Sequence, residues 1–214
     1  MFFFILILSI ICAYFIGSVS FAIILTERKL HKDIREFGSG NAGGTNAMRV
    51  LGKKTGVFVM ILDMLKGAVS ILLPMLLFYL AGFGKINDFY LALIGLFAVL
   101  GHLFPIYYGF KGGKGIAATA GITFVLSPLA FVLLLGVWAL CVILSKYVSL
   151  GSIAISILLA PVYFLFEGVI LQKPEAPFTA IVLAVTGLIL VATHIPNIKR
   201  LLKGRENKIG SKKE

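Results

Sequence analysis

The feature that most constrains this chain is a succession of apolar runs, each long enough to meet a lipid bilayer, separated by short polar stretches. Phe2 to Leu25 carries no charged side chain, and the first one met is Glu27. A bilayer's hydrocarbon core is about 30 Å thick and takes about 20 helical residues to cross. Within it every backbone N–H and C=O must be paired inside the chain, so runs of this length form helices. Further runs follow at Thr55 to about Ala81, Phe89 to Tyr107, Ile116 to Leu144, Ser152 to Leu171 and Phe178 to about Ile195. Hydrophobic residues make up 59% of the chain and charged residues 14%, against about 45–50% and about 25% in soluble domains. The chain therefore reads as an all-α polytopic membrane bundle. A single membrane domain spans residues 1–214, with no separate soluble domain.

Two runs need interpretation. The start lacks the basic flank and shorter core of a signal peptide, so Phe2 to Leu25 reads as a first transmembrane helix. Ile116 to Leu144 is awkward for one pass. Ser127-Pro128 lies in its middle, and proline disfavours helix at the residue before it. Two shorter helices meeting near Pro128 compete with one long tilted helix. The first alternative gives about seven transmembrane helices, and five remain if the middle segments do not cross.

Cations test the topology. With the amino end outside and the carboxyl end in the cytosol, 17 Lys and Arg fall on the inner side. The outer turns hold only Lys85 and Lys173, and Lys66 sits within a span. This asymmetry is the positive-inside pattern. It also accounts for most of the net charge of +11, so no nucleic-acid partner is expected. Cys12 and Cys141 both lie inside apolar runs and read as packing residues.

Four unusual stretches then share the inner face: GSGNAGGTNAMR (Gly38 to Arg49), FKGGKG (Phe110 to Gly115), KYVSLGS (Lys146 to Ser152) and THIPN (Thr193 to Asn197). The first matches G-x-G-x-x-G at Gly38, Gly40 and Gly43, but no strand precedes it and no dinucleotide fold surrounds it. Its Ser39, Asn41, Thr45 and Asn46 beside Arg49 suit hydrogen bonding to a polar anion. The alternative is a turn that caps the next helix. The second stretch is not a Walker A loop, because Lys114 is followed by Gly115. Lys111, Gly112, Gly113, Lys114 and Gly115 form either a phosphate cradle before a helix or a basic turn.

His194 and Asn197 are three residues apart and share a helix face; polar groups there are costly without a task. His102 lies within a span and reads as bonded to a neighbouring helix. Asp63 and Lys66, also three apart, read as an ion pair, with Lys66 additionally able to face an anion.

Several chemistries lack their residues. No carboxylate cluster supports a Mg²⁺-dependent phosphotransferase such as an alcohol phosphatidyltransferase. No His/Cys set has zinc spacing, and no Gly-x-Ser-x-Gly elbow occurs. Neither metal nor cofactor is expected.

GSGNAGGTN with Arg49, then HLFPIYYGFKGGKG, then TH-x-x-N-I-x-R-L with G-R-E, resemble the three signature segments of the bacterial acyl-phosphate:glycerol-3-phosphate acyltransferases. The resemblance runs over nearly the whole chain, in order and with similar spacing; Gly44 stands where the family usually has alanine. It implies a bacterial plasma-membrane enzyme, with its site on the cytosolic face, that acylates the sn-1 hydroxyl of glycerol 3-phosphate. An acyl phosphate would be the donor, and lysophosphatidic acid and phosphate the products.

The same resemblance makes Ser39, Arg49, His194 and Asn197 catalytic. Gly112, Gly113, Lys114 and Gly115 become the glycerol-phosphate loop, and Glu206 a structural partner. Asn41, Thr45, Asn46, Lys66, Lys111 and Ser149 would complete the substrate contacts, with membrane lipid around the acyl chain. The donor is already an activated anhydride, so no covalent enzyme intermediate is required. The hydroxyl proton goes either to His194 or to a substrate phosphate oxygen; the latter is favoured where no carboxylate orients the imidazole. The rival readings are a transporter or channel for a phosphate-bearing anion and a membrane scaffold. No pair of inverted repeats supports the first, and the second leaves the Gly/Lys and Ser/Asn segments without a reason.

Overall fold

The computed structural model describes residues 1–209, and Lys212 and Lys213, two of the cations expected on the inner side, lie outside the described residues. Regular structure among the described residues is entirely helical. Among the described residues six helical stretches are long and apolar enough to cross a membrane, and Ile116–Leu126 is a shorter apolar helix. These correspond to the seven segments expected. The chain divides into two compact units, Met1–Leu126 and Ser127–Glu214.

The first unit holds α1 (Phe2–Ser18), α2 (Phe21–Leu30), α3 (Gly44–Leu51), α4 (Lys53–Leu80), α5 (Asp88–Leu103) and α6 (Ile116–Leu126). Helix α1 packs along α5, and α4 packs on α6 and α3. Lipid tails are as apolar as leucine, so membrane helices associate through close packing of small residues. Gly121 of α6 shows this: a Cβ there would meet the backbone of α4 at Met64 O and Ala68 N.

The first apolar run is not one helix. It breaks at Val19, which is extended (φ −67°, ψ 119°), and Ser20 caps α2 by accepting a hydrogen bond from Ile23 N. The break exposes a carbonyl, Val19 O, and the Lys66 ammonium donates to it at 2.5 Å. Serine passes unnoticed in an apolar run, and the donor lies far along the chain, so the break was not readable locally. Helix α2 leads into a loop seated on a small apolar cluster of Ile23, Ile34, Ala42, Ala47 and Val59, with Tyr108 against it.

The second unit holds α7 (Pro128–Ser145), α8 (Val148–Tyr163), α9 (Ala176–Thr193) and α10 (Ile195–Leu202), with a π-helical turn at Phe164–Ile170. Helix α8 packs on both α7 and α9. The long run from Ile116 is thus two helices. Ser127 is extended (φ −153°) and its hydroxyl accepts from Ala130 N at 3.4 Å, closing the amino end that proline opens. Past the wide turn, the Lys173 ammonium sits 2.6 Å from the buried Glu167 carboxylate.

Replacing Gly121 by alanine should force α4 and α6 apart and lower thermal stability in detergent by about 1–3 kcal/mol. Gly136 has no atom within 4 Å of a built Cβ. G136A should leave stability unchanged or raise it by up to about 1 kcal/mol.

Candidate functional site

The sequence candidates fall into two groups, one in each unit. In the first unit most sit on two loops and on α3, which follows the first of them, and Lys66 lies within α4. The first loop follows α2, which His31 ends in the left-handed conformation (φ 54°). Asp33 caps a short turn by accepting from Arg35 N at 2.8 Å. The Arg35 side chain returns to the same carboxylate, with Nη2 2.6 Å from Oδ2. Its Nη1 donates to Tyr108 O at 2.7 Å and to Lys111 O at 3.0 Å. Arg35 therefore ties the first loop to the glycine loop. The guanidinium holds the Asp33 carboxyl below the usual carboxylate range against the opposing effect of its partial burial. Arg35 was not among the sequence candidates; the Asp33-x-Arg35 spacing was the available signal.

Asn46 organises the first loop from inside. It is 1% exposed. Its amide nitrogen donates to Phe37 O at 2.9 Å and Ile34 O at 3.3 Å, and its oxygen accepts from Ser39 N at 2.9 Å. Gly38 is obligatory here, because its φ is +62° and a Cβ would collide with the Asn46 oxygen. Ser39 and Arg49 remain exposed, while Asn41 and Thr45 are half-buried. No side chain caps the following helix, and Gly43 occupies the cap position.

The glycine loop runs back along the end of α5. Gly112 N donates to Leu103 O at 3.0 Å and Gly113 N to His102 O at 3.1 Å. These are carbonyls that the helix end leaves without an internal partner. The N–H groups of Gly112 and Gly113 therefore close α5 and do not themselves line a cradle, one of the two alternatives for this stretch. What the glycines allow instead is close approach: a Cβ on Gly113 would meet His102 Nε2 and Ala42 O. The two loops thus touch at one α-carbon. Lys111 is exposed, Lys114 is half-buried, and Gly115 leads into α6, whose amino end attracts anions. An open cleft of about 590 Å³ is lined by Asp33, Arg35, Glu36, Gly40, Lys111 and Gly112 among others.

In the second unit His194 sits where α9 ends and α10 begins, with Pro196 in the first turn of α10. His194 Nδ1 lies 2.8 Å from Leu190 O. A carbonyl can only accept, so Nδ1 carries the hydrogen; in the neutral ring Nε2 then keeps its lone pair. The imidazole is therefore oriented without any need of a carboxylate. Asn197 donates to Glu206 Oε1 at 2.8 Å, Ser149 donates to the same oxygen at 3.1 Å, and Arg200 Nε donates to Oε2 at 2.7 Å. Burial pushes the pKa of this carboxyl up, but the bonds from Arg200, Asn197 and Ser149 outweigh it and hold Glu206 below its ordinary range. Ser149, expected at the substrate, has its hydroxyl on Glu206. Among the described residues, no group of three or more His, Cys, Asp or Glu is placed to hold a metal ion.

The glycerol-3-phosphate acyltransferase family model matches residues 7–204. A glycerol-3-phosphate acyltransferase 2 of Bacillus anthracis is 42% identical over 206 residues, covering 95% of this chain and 98% of its own length. A glycerol-3-phosphate acyltransferase of Halalkalibacterium halodurans is 44% identical over 209 residues, or 97% of each chain. Among solved structures, an integral membrane glycerol 3-phosphate acyltransferase in its glycerol 3-phosphate form aligns with a TM-score of 0.80 at 40% identity, over 96% of both chains. Its lysophosphatidic acid form aligns with a TM-score of 0.77 at 39% identity, over 96% of this chain and 95% of that one.

Two outcomes follow from this geometry. Arg35→Ala, which leaves two loop carbonyls without their donor, should lower thermal stability by about 1–2 kcal/mol after allowance for its partial exposure. Because the Glu206 carboxyl is held low, its network stabilises the fold above the ordinary carboxylate range and is lost as pH falls through its folded value. The stability difference between the wild type and E206Q should be full at neutral pH and shrink on acidification. Thermal unfolding across pH measures it.

Proposed function

The chain belongs to the glycerol-3-phosphate acyltransferase family and carries that activity, and on this premise we propose that its donor is an acyl phosphate and its acceptor the sn-1 hydroxyl of glycerol 3-phosphate. The hydroxyl oxygen forms a bond to the acyl carbon. The bond from that carbon to the phosphate oxygen breaks, and its electron pair leaves with inorganic phosphate. The hydroxyl proton passes to a base, and lysophosphatidic acid is released.

Both substrates carry a phosphate, and the first unit supplies the groups to receive it. Arg49, Lys111 and Lys114 provide positive charge; Ser39, Asn41, Thr45, Gly115 and the amino end of α6 provide donors. Preorganised charge of this kind contributes several kcal/mol, on the order of 3–4 per well-placed donor. Asn46, Gly112 and Gly113 shape the two loops from within. Asn197, held on Glu206 together with Ser149, contributes its amide to the reacting groups.

The observation that carries the proton step is the hydrogen bond from His194 Nδ1 to Leu190 O. It leaves Nε2 as the acceptor in the neutral ring, and His194 is the base. Favouring a substrate phosphate for want of a carboxylate loses its premise, because a backbone carbonyl does the orienting.

The distribution of Lys and Arg, 17 against 2, supports an amino end outside, a carboxyl end inside and a reaction on the cytosolic face of a bacterial plasma membrane. The acyl chain lies among apolar helices open to lipid.

Purified protein given acyl phosphate and labelled glycerol 3-phosphate should yield labelled lysolipid. Labelled glycerol 3-phosphate exchanged across liposomes without lysolipid would support the transporter instead. H194A should lose about 10²–10⁴-fold in kcat together with the acidic limb of the pH–rate profile. Retained turnover with that limb unmoved assigns the proton to a substrate phosphate.

A further inference from the structure

Three ionisable side chains of the first unit are buried together away from the exposed candidates: Asp63 at 2% exposure, Lys66 at 5% and His102 at 6%. The Lys66 ammonium lies 3.0 Å from Asp63 Oδ1 and donates to Val19 O, with the Phe21 ring 5.9 Å away. Asp63 Oδ1 faces His102 Nδ1 across 3.7 Å, and neither atom makes a hydrogen bond of good geometry. The other ring nitrogen of His102, Nε2, lies where a side chain on Gly113 would begin.

Packing alone does not explain this cluster. Charges inside a membrane helix bundle are costly, and apolar side chains of similar volume would fill the same space. Its contacts give it a task. Through Lys66 it closes the carbonyl at the break before α2, the helix that carries the first loop. Through His102 it backs the α-carbon of Gly113, where the first loop also arrives at Ala42 O. With Nδ1–H directed at Asp63, a neutral imidazole turns its Nε2 lone pair to the loop. A movement of about 0.7 Å would bring Nδ1 and Oδ1 to ordinary hydrogen-bond distance.

We propose that His102 is a positioning residue for the acyltransfer reaction. It is braced by Asp63 and Lys66 and sets the place of the glycine loop against the first loop. Lys66 then serves this brace and is not a ligand of the substrate. The inference rests on the acyltransferase reading and deepens it, and it concerns binding of glycerol 3-phosphate more than the chemical step.

The test is steady-state kinetics of the full-length enzyme in detergent, with glycerol 3-phosphate varied at saturating acyl phosphate. H102A should raise KM for glycerol 3-phosphate at least about 10-fold while kcat stays within about threefold. H102Q, whose amide reaches the place of Nε2, should restore KM to within about threefold of wild type. H102N, which reaches only the place of Nδ1, should not. D63N should raise KM in the same direction, and D63N/H102A by less than the product of the two single effects.

An unchanged KM in H102A overturns the proposal. So does a fall in kcat at constant KM, which would put His102 on the reacting atoms. Should H102A fail to fold, equal KM values for H102Q and H102N overturn it. Wild-type turnover in the same assay separates failure of this inference from failure of the acyltransferase reading.

Discussion

A helix that stops inside or beside lipid leaves carbonyl and N–H groups that no water is present to take. In this protein several of the polar groups that close such stops are candidate site residues. The break at Val19 is closed by the Lys66 ammonium. The end of α5 is closed by the N–H groups of Gly112 and Gly113. The start of α7 is capped by Ser127, and the end of α9 is met by the imidazole of His194 at Leu190 O. Three of these four closures use residues of the candidate site. The helix ends that a membrane protein must repair have become the places where it holds polar side chains in fixed geometry.

Charge follows the same economy. Asp33 is paired with Arg35, Asp63 with Lys66, Glu167 with Lys173 and Glu206 with Arg200. The chain has nine acidic residues against 20 Lys and Arg, so pairing leaves a large cationic excess. An excess of positive charge attracts a phosphate-bearing substrate such as glycerol 3-phosphate.

Much of this was legible in the sequence, and the boundary of legibility is physical. Uninterrupted apolar runs report lipid contact directly, so the spans were readable. Pro128 acts on its immediate neighbour, so the division of the long run was readable as one of two alternatives. The break at Val19 was not, because Ser18 and Ser20 are tolerated inside membrane helices and its partner Lys66 lies in another helix. The same distance hid the reach of Arg35 to Tyr108 O and Lys111 O. His194 was found by its type and position. Its orientation by Leu190 O, four residues earlier, was missed because a backbone carbonyl leaves no mark in a sequence. The orienting atom is a carbonyl oxygen, not a carboxylate.

The signature-like segments consequently mix two kinds of residue that a sequence cannot separate. Ser39 and Arg49 are exposed, whereas Asn46 from the same segment has its amide committed to Ile34, Phe37 and Ser39. Asn197 and Ser149 meet on one carboxylate oxygen of Glu206, so the loss of any of the three unbalances the others. Removing a residue that shapes a loop and removing one that touches phosphate both lower activity. They differ in how the loss divides between binding and the chemical step, and in whether it depends on pH. Activity loss alone therefore cannot define this site.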